Sequence, residues 1–212
     1  MITLYAVRHG ETDYNKEDRV QGSHDSILTG FGRAQARALA GYFRGKKIDA
    51  LYSSPLKRAL ETAETISEAL GGLEVQVNDD FHELRCGEFE GVLFEEIKRE
   101  RWEEFLTWLR EPEVQAPGGE SMNQLFSRVS SALKEILAGV PDGSNIAVVS
   151  HAGVVRMTLA ALVGVPVGVS TSFSLTNASV STFNLRRGRW TCHTWNDTSH
   201  LGELEGEVKS VL

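Results

Sequence analysis

The sequence contains little cysteine and no long apolar stretch, and each absence excludes a class of protein. Only two of its 212 residues are cysteines, Cys86 and Cys192, and they show no Cys-x-x-Cys spacing. A disulfide-stapled secreted domain and a cysteine-based zinc or redox site are therefore excluded, and both residues should be free thiols. The longest apolar runs, such as 146–149 and 159–163, fall far short of the roughly 20 residues that a membrane-spanning helix needs.

Positive charge is also scarce. The chain carries 22 lysine and arginine residues against 29 aspartate and glutamate residues, a net charge of -7 at pH 7. The surface as a whole should repel nucleic acid and anionic lipid, so neither is an expected partner, and an anion site must be a local concentration of positive charge. The N-terminus lacks the basic segment and the cleavage site of a secretory signal peptide. We therefore expect a cytoplasmic protein.

What the sequence does contain is a regular alternation of strand and helix patterns. Runs rich in β-forming residues predict strands at 2–7, 49–53, 73–77 and 145–149. Helical spacing predicts helices from Thr29 to near Gly45, at 56–70, at 94–109 and from Ser121 through Leu137. Thr29 and Ser54 are expected N-caps, and Ser121 with Gln124 fits a capping box.

The order of these elements predicts the fold. Residues 179–185 and 190–195 indicate a hairpin that closes the sheet. Strands that alternate with helices imply an α/β domain with a mostly parallel central sheet and helices on both faces, in three layers. The sequence shows neither an internal repeat nor a low-complexity stretch, which favours a single domain over residues 1–212.

Polar residues and glycines stand where three of the predicted strands end. The three segments are Arg8-His9-Gly10, residues 54–58 with Arg58, and Ser150-His151-Ala152-Gly153. Because ligands of open α/β sheets bind beyond the carboxyl ends of the strands, two histidines and two arginines are expected at one edge. Arginine forks suit phosphate oxygens, and the glycine beside each histidine is expected to let the backbone approach a ligand.

Each of these residues also has a simpler interpretation. Taken singly, a histidine at a strand end is more often structural than catalytic, and Arg58 or Glu83 is by default a solvated surface charge. The joint placement at one sheet edge is what favours an anion site.

Several groups of residues also form a pattern that runs along almost the whole chain. They are residues 4–12 with Asn15, Arg19, Gln21-Gly22, Asp25 and Leu28-Thr29; residues 52–59 with 61–63; residues 81–84 with Gly87 and Glu90-Gly91; and residues 149–153. In this order they resemble the motifs of the histidine phosphatase superfamily, also called the phosphoglycerate mutase-like family. Ala152 stands where a glycine is common in that family.

The resemblance implies a role for each motif residue. His9 would be the nucleophile that becomes a phosphohistidine, and Arg8, Arg58 and His151 would hold the oxygens of the transferred group. Asn15 would add a neutral donor, and Glu83 would be the general acid and then the general base. Gln21, Gly22 and Ala152 are expected to line the substrate site. The scheme requires neither a metal ion nor another cofactor.

The resemblance also favours one activity among those of the family. The sequence of residues 83–91 resembles the segment found in the phosphatases of the family, which favours a metal-independent phosphomonoesterase acting on a small phosphorylated metabolite. A phosphoglycerate mutase and a non-catalytic phospholigand-binding module are the alternatives, and a homodimer is compatible with all three. Residues 92–120 are expected to form a lid over the site.

Overall fold

A computed structural model describes residues 1–202, 204 and 210–211 of the chain. The strands are β1 (Ile2–Arg8), β2 (Ala50–Ser53), β3 (Val75–Val77), β4 (Asn145–Ser150), β5 (Leu175–Thr176), β6 (Val180–Arg186), β7 (Arg189–Asp197) and β8 (Ser210–Val211). Six of them form one sheet in the order β3-β2-β4-β1-β6-β7, and β5 pairs with β8. The first four strands run parallel, whereas the β6–β7 hairpin is antiparallel. This confirms the predicted mostly parallel sheet and its closing hairpin.

Helices cover both faces of the sheet. They are α1 (Asp13–Glu17), α2 (Gly30–Phe43), α3 (Lys57–Ala69), α4 (Phe94–Glu100), α5 (Trp102–Arg110), α6 (Met122–Ala138), α7 (Ala152–Val163) and α8 (Val167–Ser170). Alternate residues of β4 belong to different hydrophobic clusters, since Ile146 and Val148 pack on the side of α6 and α7. Ala147 and Val149 pack on the side of α2 and α3. The two-residue period of the strand thus produces two cores, one on each face, as the three-layer prediction requires.

Helix ends follow their capping chemistry with two corrections. Thr29 caps α2, and Ser121 with Gln124 forms the predicted capping box of α6. The predicted helix at 94–109 is two helices, because Arg101 leaves helical geometry at φ -137° and stacks its guanidinium on Phe89. Ser54 is not the N-cap of α3, which begins after Leu56 without a side-chain cap. None of the helices in the described ranges is both long enough and apolar enough to cross a membrane.

Candidate active site

The carboxyl ends of the three central parallel strands bring the predicted residues together. Arg8 ends β1 opposite Ser150 at the end of β4, and the His9 amide donates to the Ser150 carbonyl at 2.9 Å. As a result, the rings of His9 and His151 lie 5.2 Å apart, centroid to centroid. A cavity of about 490 Å³ opens over this edge, and the predicted residues that line it are Arg8, His9, Asn15, Gln21, Gly22, Arg58, Glu83 and Ala152. His151 is fully buried and contacts the cavity residue Arg58.

His9 is held as a neutral imidazole with one nitrogen free. Its Nδ1 lies 2.7 Å from the carbonyl oxygen of Gly10, which can only accept, so Nδ1 carries the proton and donates it. Nε2 therefore keeps its lone pair. Burial lowers the pKa of His9 well below the ordinary value, and the charges of Arg58 and Arg8 lower it further. The ring is thus in the protonation state that a nucleophile needs at neutral pH.

His151 is also neutral, in the opposite tautomer. The Nε of Arg58 donates to its Nδ1 at 3.2 Å, so the ring proton is on Nε2, which donates to the hydroxyl of Ser54 at 2.7 Å. Burial and the charge of Arg58 hold the pKa of His151 well below the ordinary value. His151 can therefore offer an N–H to a phosphate oxygen only if that oxygen replaces the Ser54 hydroxyl.

Arg8 and Arg58 place two cations in the interior. Both are almost completely buried, and burial is the main reason that the pKa of each is lowered to about 10. Arg58 donates to the backbone oxygens of Gly22 and His24, whereas Arg8 uses one Nη on the carbonyl of Leu175. Neither has a carboxylate within ion-pair distance in the described part of the chain. Two buried guanidinium groups without a counter-ion favour the binding of an anion at this sheet edge.

Glu83 is fixed on the cavity wall by backbone donors. Its Oε1 accepts from the amide of Leu84 at 2.8 Å, and its Oε2 accepts from the amide of Gly153, at the start of α7, at 3.3 Å. A Cβ atom on Gly153 would lie 2.4 Å from Oε1, so this position needs glycine to admit the carboxylate. Likewise, a Cβ on Gly10 would lie 2.4 Å from a backbone oxygen of α2. Both glycines therefore make room for protein atoms, and their use for approach of a ligand stays a prediction.

Comparison with known proteins identifies the family of the chain. The sequence profile of the histidine phosphatase superfamily (branch 1) matches residues 4–198. The chain belongs to this superfamily.

Relatives of known name extend the likeness over the whole chain. Phosphoserine phosphatase 1 of Hydrogenobacter thermophilus is 36% identical over 213 aligned positions, which cover 100% of each protein. Phosphoglycerate mutase-like protein 4 of Arabidopsis thaliana is 37% identical over 204 positions, covering 94% of this chain and 87% of its own. The solved structure of a mycobacterial glucosyl-3-phosphoglycerate phosphatase superposes with a TM-score of 0.84 at 30% identity, covering 92% of this chain and 99% of that one.

The expected substrate-site residues of this histidine phosphatase differ in how they are used. The Oδ1 of Asn15 accepts hydrogen bonds from within the protein, which leaves its amide NH₂ as the group able to donate into the cavity. Gln21 accepts from two hydroxyls. The carbonyl of Gly22 accepts a hydrogen bond from Arg58. Gly22 has a φ of +51°, and a Cβ atom at this position would overlap the side chain of Glu90. Ala152 lines the cavity as the first residue of α7.

Three site residues escaped the sequence analysis. Ser54, which the sequence predicts as a helix cap, has a hydroxyl that accepts a hydrogen bond from the Nε2–H of His151. Asn177 is buried, and its Nδ2 lies within hydrogen-bond distance of the carbonyls of His9 and Gly10 and of the Oδ1 of Asn15, so its two hydrogens are shared among three acceptors and hold the loop after β1. Arg156 lines the cavity from α7, and its signal was present, because it is the one charged residue in an otherwise uncharged helix of 12 residues. Within the described residues, no group of three or more His, Cys, Asp or Glu is placed to hold a metal ion.

The lowered histidine pKa values predict an acid-sensitive fold. Below the ordinary pKa of 6.5, His9 binds a proton in the unfolded chain but stays unprotonated in the folded protein. The free energy of unfolding should therefore be highest above that pH and should decrease as the pH falls. Each buried neutral histidine can contribute a decrease of up to about 1.4 kcal/mol per pH unit. Denaturant titrations between about pH 7 and about pH 5 measure this slope.

The variant His9→Asn should show a shallower slope than the parent protein. The exposed His193 on β7 supplies the control, and His193→Gln should retain the parent slope. Equal slopes for the parent and His9→Asn would contradict the assignment of His9 as a buried neutral group.

Proposed function

We propose that this histidine phosphatase is a metal-independent phosphomonoesterase that hydrolyses a small phosphorylated metabolite through a phosphohistidine on His9. The observation that carries the proposal is the state of His9: neutral, buried, and with Nε2 free beside two buried cations. Glu83 stands on the same cavity wall. The phosphatase names of two of the relatives support a hydrolase over a mutase.

In the first step, the lone pair of His9 Nε2 attacks phosphorus and the ester P–O bond breaks. Protonated Glu83 gives its proton to the leaving alkoxide, so the alcohol departs neutral. Arg8 and Arg58, with N–H groups of Asn15 and His151, stabilise the charge on the other phosphoryl oxygens. The hydrogen bond from Nδ1 to Gly10 holds the imidazole in line and stabilises the positive charge that the ring acquires.

The second step regenerates the enzyme. Glu83, now a carboxylate, accepts a proton from a water molecule while the oxygen of that water attacks the phosphorus of the phosphohistidine. The P–N bond breaks, its electron pair returns to Nε2, and inorganic phosphate leaves. Hydrolysis thus differs from a mutase reaction only in whether water or a second hydroxyl takes the phosphoryl group.

The segment 92–120 is proposed to be a lid over this site. Helices α4 and α5 supply Phe94, Lys98, Phe105, Trp108 and Leu109 to the cavity wall. Phe105 and Trp108 are also buried in a cluster of edge-to-face and stacked rings, so the aromatic residues serve both the core and the cavity.

The cytoplasmic location and the homodimer stay predictions. Both cysteines are free thiols, which fits a reducing compartment.

Product analysis in EDTA tests the proposed activity. The purified protein is incubated with phosphoserine, 3-phosphoglycerate or p-nitrophenyl phosphate, and phosphorus NMR follows the products. We expect one inorganic phosphate for each alcohol released. Isomerised phosphoglycerate without free phosphate would show a mutase, and binding without any turnover would show a non-catalytic module.

Replacing Arg58 separates charge from geometry. Arg58→Lys keeps a cation but loses the fork that reaches His151, His24 and Gly22, so kcat/KM should fall by roughly 10²-fold or more. Inhibition by inorganic phosphate should weaken in parallel. The control is Arg33→Lys, since Arg33 is an exposed partner of Glu61. Full activity in Arg58→Lys would show that the fork is not needed.

A further inference from the structure

The cavity continues beyond the residues assigned to the phosphoryl group. Its outer wall is largely apolar and includes Val20, Phe94, Leu109, Met122 and Met157. One buried cation interrupts this wall: Arg156 on α7, one turn after Ala152, with only 8% of its surface exposed. The mechanism proposed above gives Arg156 no role.

The guanidinium of Arg156 is largely without partners. Its Nε donates to the carbonyl oxygen of Phe173 at 2.9 Å. The buried Nη2 has no hydrogen-bond partner, and within the described residues no carboxylate lies within ion-pair distance of the group. The other outer cations of the cavity differ, because Arg19 pairs with Glu17 and Lys98 with Glu95.

The surroundings of Arg156 favour an anion from outside the protein. Its positive charge adds to burial in lowering the pKa of Arg8, so two like charges share this end of the cavity. Glu83 faces the same space, but its side-chain oxygens accept from the amides of Leu84 and Gly153 and do not pair with Arg156. A buried guanidinium with unsatisfied N–H groups is costly unless an anion binds it.

We propose that Arg156 binds a carboxylate of the substrate, so that the substrates are small phosphorylated carboxylic acids. The inference rests on the proposed phosphatase function and names its substrate class. A single arginine fork matches the two oxygens and the single charge of a carboxylate. A second phosphoryl group would carry more charge than a carboxylate and would need several cations, as the proposed phosphoryl site has in Arg8 and Arg58. Arg156 is thus a specificity-determining residue.

A structural role is the competing explanation, since the bond to Phe173 ties α7 to the segment that leads into β5. That role needs only Nε and involves no substrate. It predicts that replacing Arg156 lowers stability and slows every substrate to the same extent. A carboxylate-binding role instead predicts an effect that depends on whether the substrate has a carboxylate.

Two matched substrate pairs test the proposal. Phosphoserine and phosphoethanolamine differ by one carboxylate, and 3-phosphoglycerate and glycerol 3-phosphate differ by a carboxylate in place of a hydroxymethyl group. In at least one pair, the parent protein should favour the acid by about 10-fold or more in kcat/KM. In Arg156→Gln that preference should fall towards one, mainly through a higher KM for the acid, and Arg156→Lys should retain part of it.

The exposed Arg37 of α2 provides the control, because Arg37→Gln makes the same chemical change away from the cavity and should keep the parent preference. Thermal unfolding of each variant shows whether it is folded. No acid preference in either pair, or a preference that Arg156→Gln leaves intact, would overturn the proposal. If no monoester is turned over, the phosphatase proposal fails by itself, and the ratio of calorimetric Kd values within each pair then decides the role of Arg156.

Discussion

His9→Ala is expected to lower kcat by roughly 10³-fold or more, because the variant has no side chain that can form the phosphoenzyme. The fold should survive. The lost donor to the Gly10 carbonyl is partly replaced by Asn177, which already donates to that oxygen at 3.3 Å. A single missing hydrogen bond costs about 1–3 kcal/mol, which is less than the typical stability of a domain. Steady-state release of inorganic phosphate is the measurement.

The control for this experiment is His193→Ala, which removes an exposed imidazole on β7. It should retain parent activity, and circular dichroism should show both variants folded. Retention of more than a few per cent of kcat by a folded His9→Ala variant would remove His9 as the nucleophile. His151 would then be the next candidate, because it is the other histidine at this sheet edge.

Glu83→Gln is expected to produce the second large effect, one that depends on the leaving group. The amide can still accept from the Leu84 N–H but cannot give up a proton. An alkyl phosphate, whose alkoxide needs protonation, should be slowed by roughly 10²–10⁴-fold in its phosphorylation step. p-Nitrophenolate is a weak base that leaves without protonation, so the phosphorylation step of p-nitrophenyl phosphate should be slowed much less. A burst of nitrophenol should appear if water attack on the phosphohistidine becomes limiting.

Pre-steady-state release of alcohol and nitrophenol measures these steps separately. Glu11→Gln and Glu90→Gln are the matched controls, because these two carboxylates lie close in sequence to His9 and Glu83. Glu11 accepts a hydrogen bond from the hydroxyl of Thr29, and Glu90 accepts one from the hydroxyl of Ser23. Neither should change the ratio between the two substrates. Equal slowing of both phosphorylation steps by Glu83→Gln would make Glu83 an orienting residue rather than the acid.

The sequence predicted one sheet edge for His9 and His151 because strands that alternate with helices run parallel, and parallel strands end at the same edge. The sequence does not show that the two strands are neighbours, and it is the pairing of β1 with β4 in the structure that brings the two rings together. The pattern could not show what each nitrogen contacts. The tautomer of His151 depends on Ser54, which directly follows β2, and on Arg58.

Residues whose role depends on packing were not predictable in the same way. Arg156 stands out in the sequence as the one charged residue of α7, but nothing in its spacing shows that it is buried or that its Nε donates to the carbonyl of Phe173. The break between α4 and α5 has a similar origin. Periodicity continues across Arg101, whereas contacts of its guanidinium with Phe89, Glu88 and Glu104 accompany the departure from helical geometry.

The most direct test of the central claim is to identify the phosphorylated residue. The protein is mixed with substrate in EDTA, quenched in alkali within one turnover to preserve a phosphoramidate, and digested for mass spectrometry. We predict one phosphoryl group on the peptide that contains His9, located at that ring, formed and lost at rates compatible with turnover. Turnover without this label, or a label on any other residue, would contradict the mechanism.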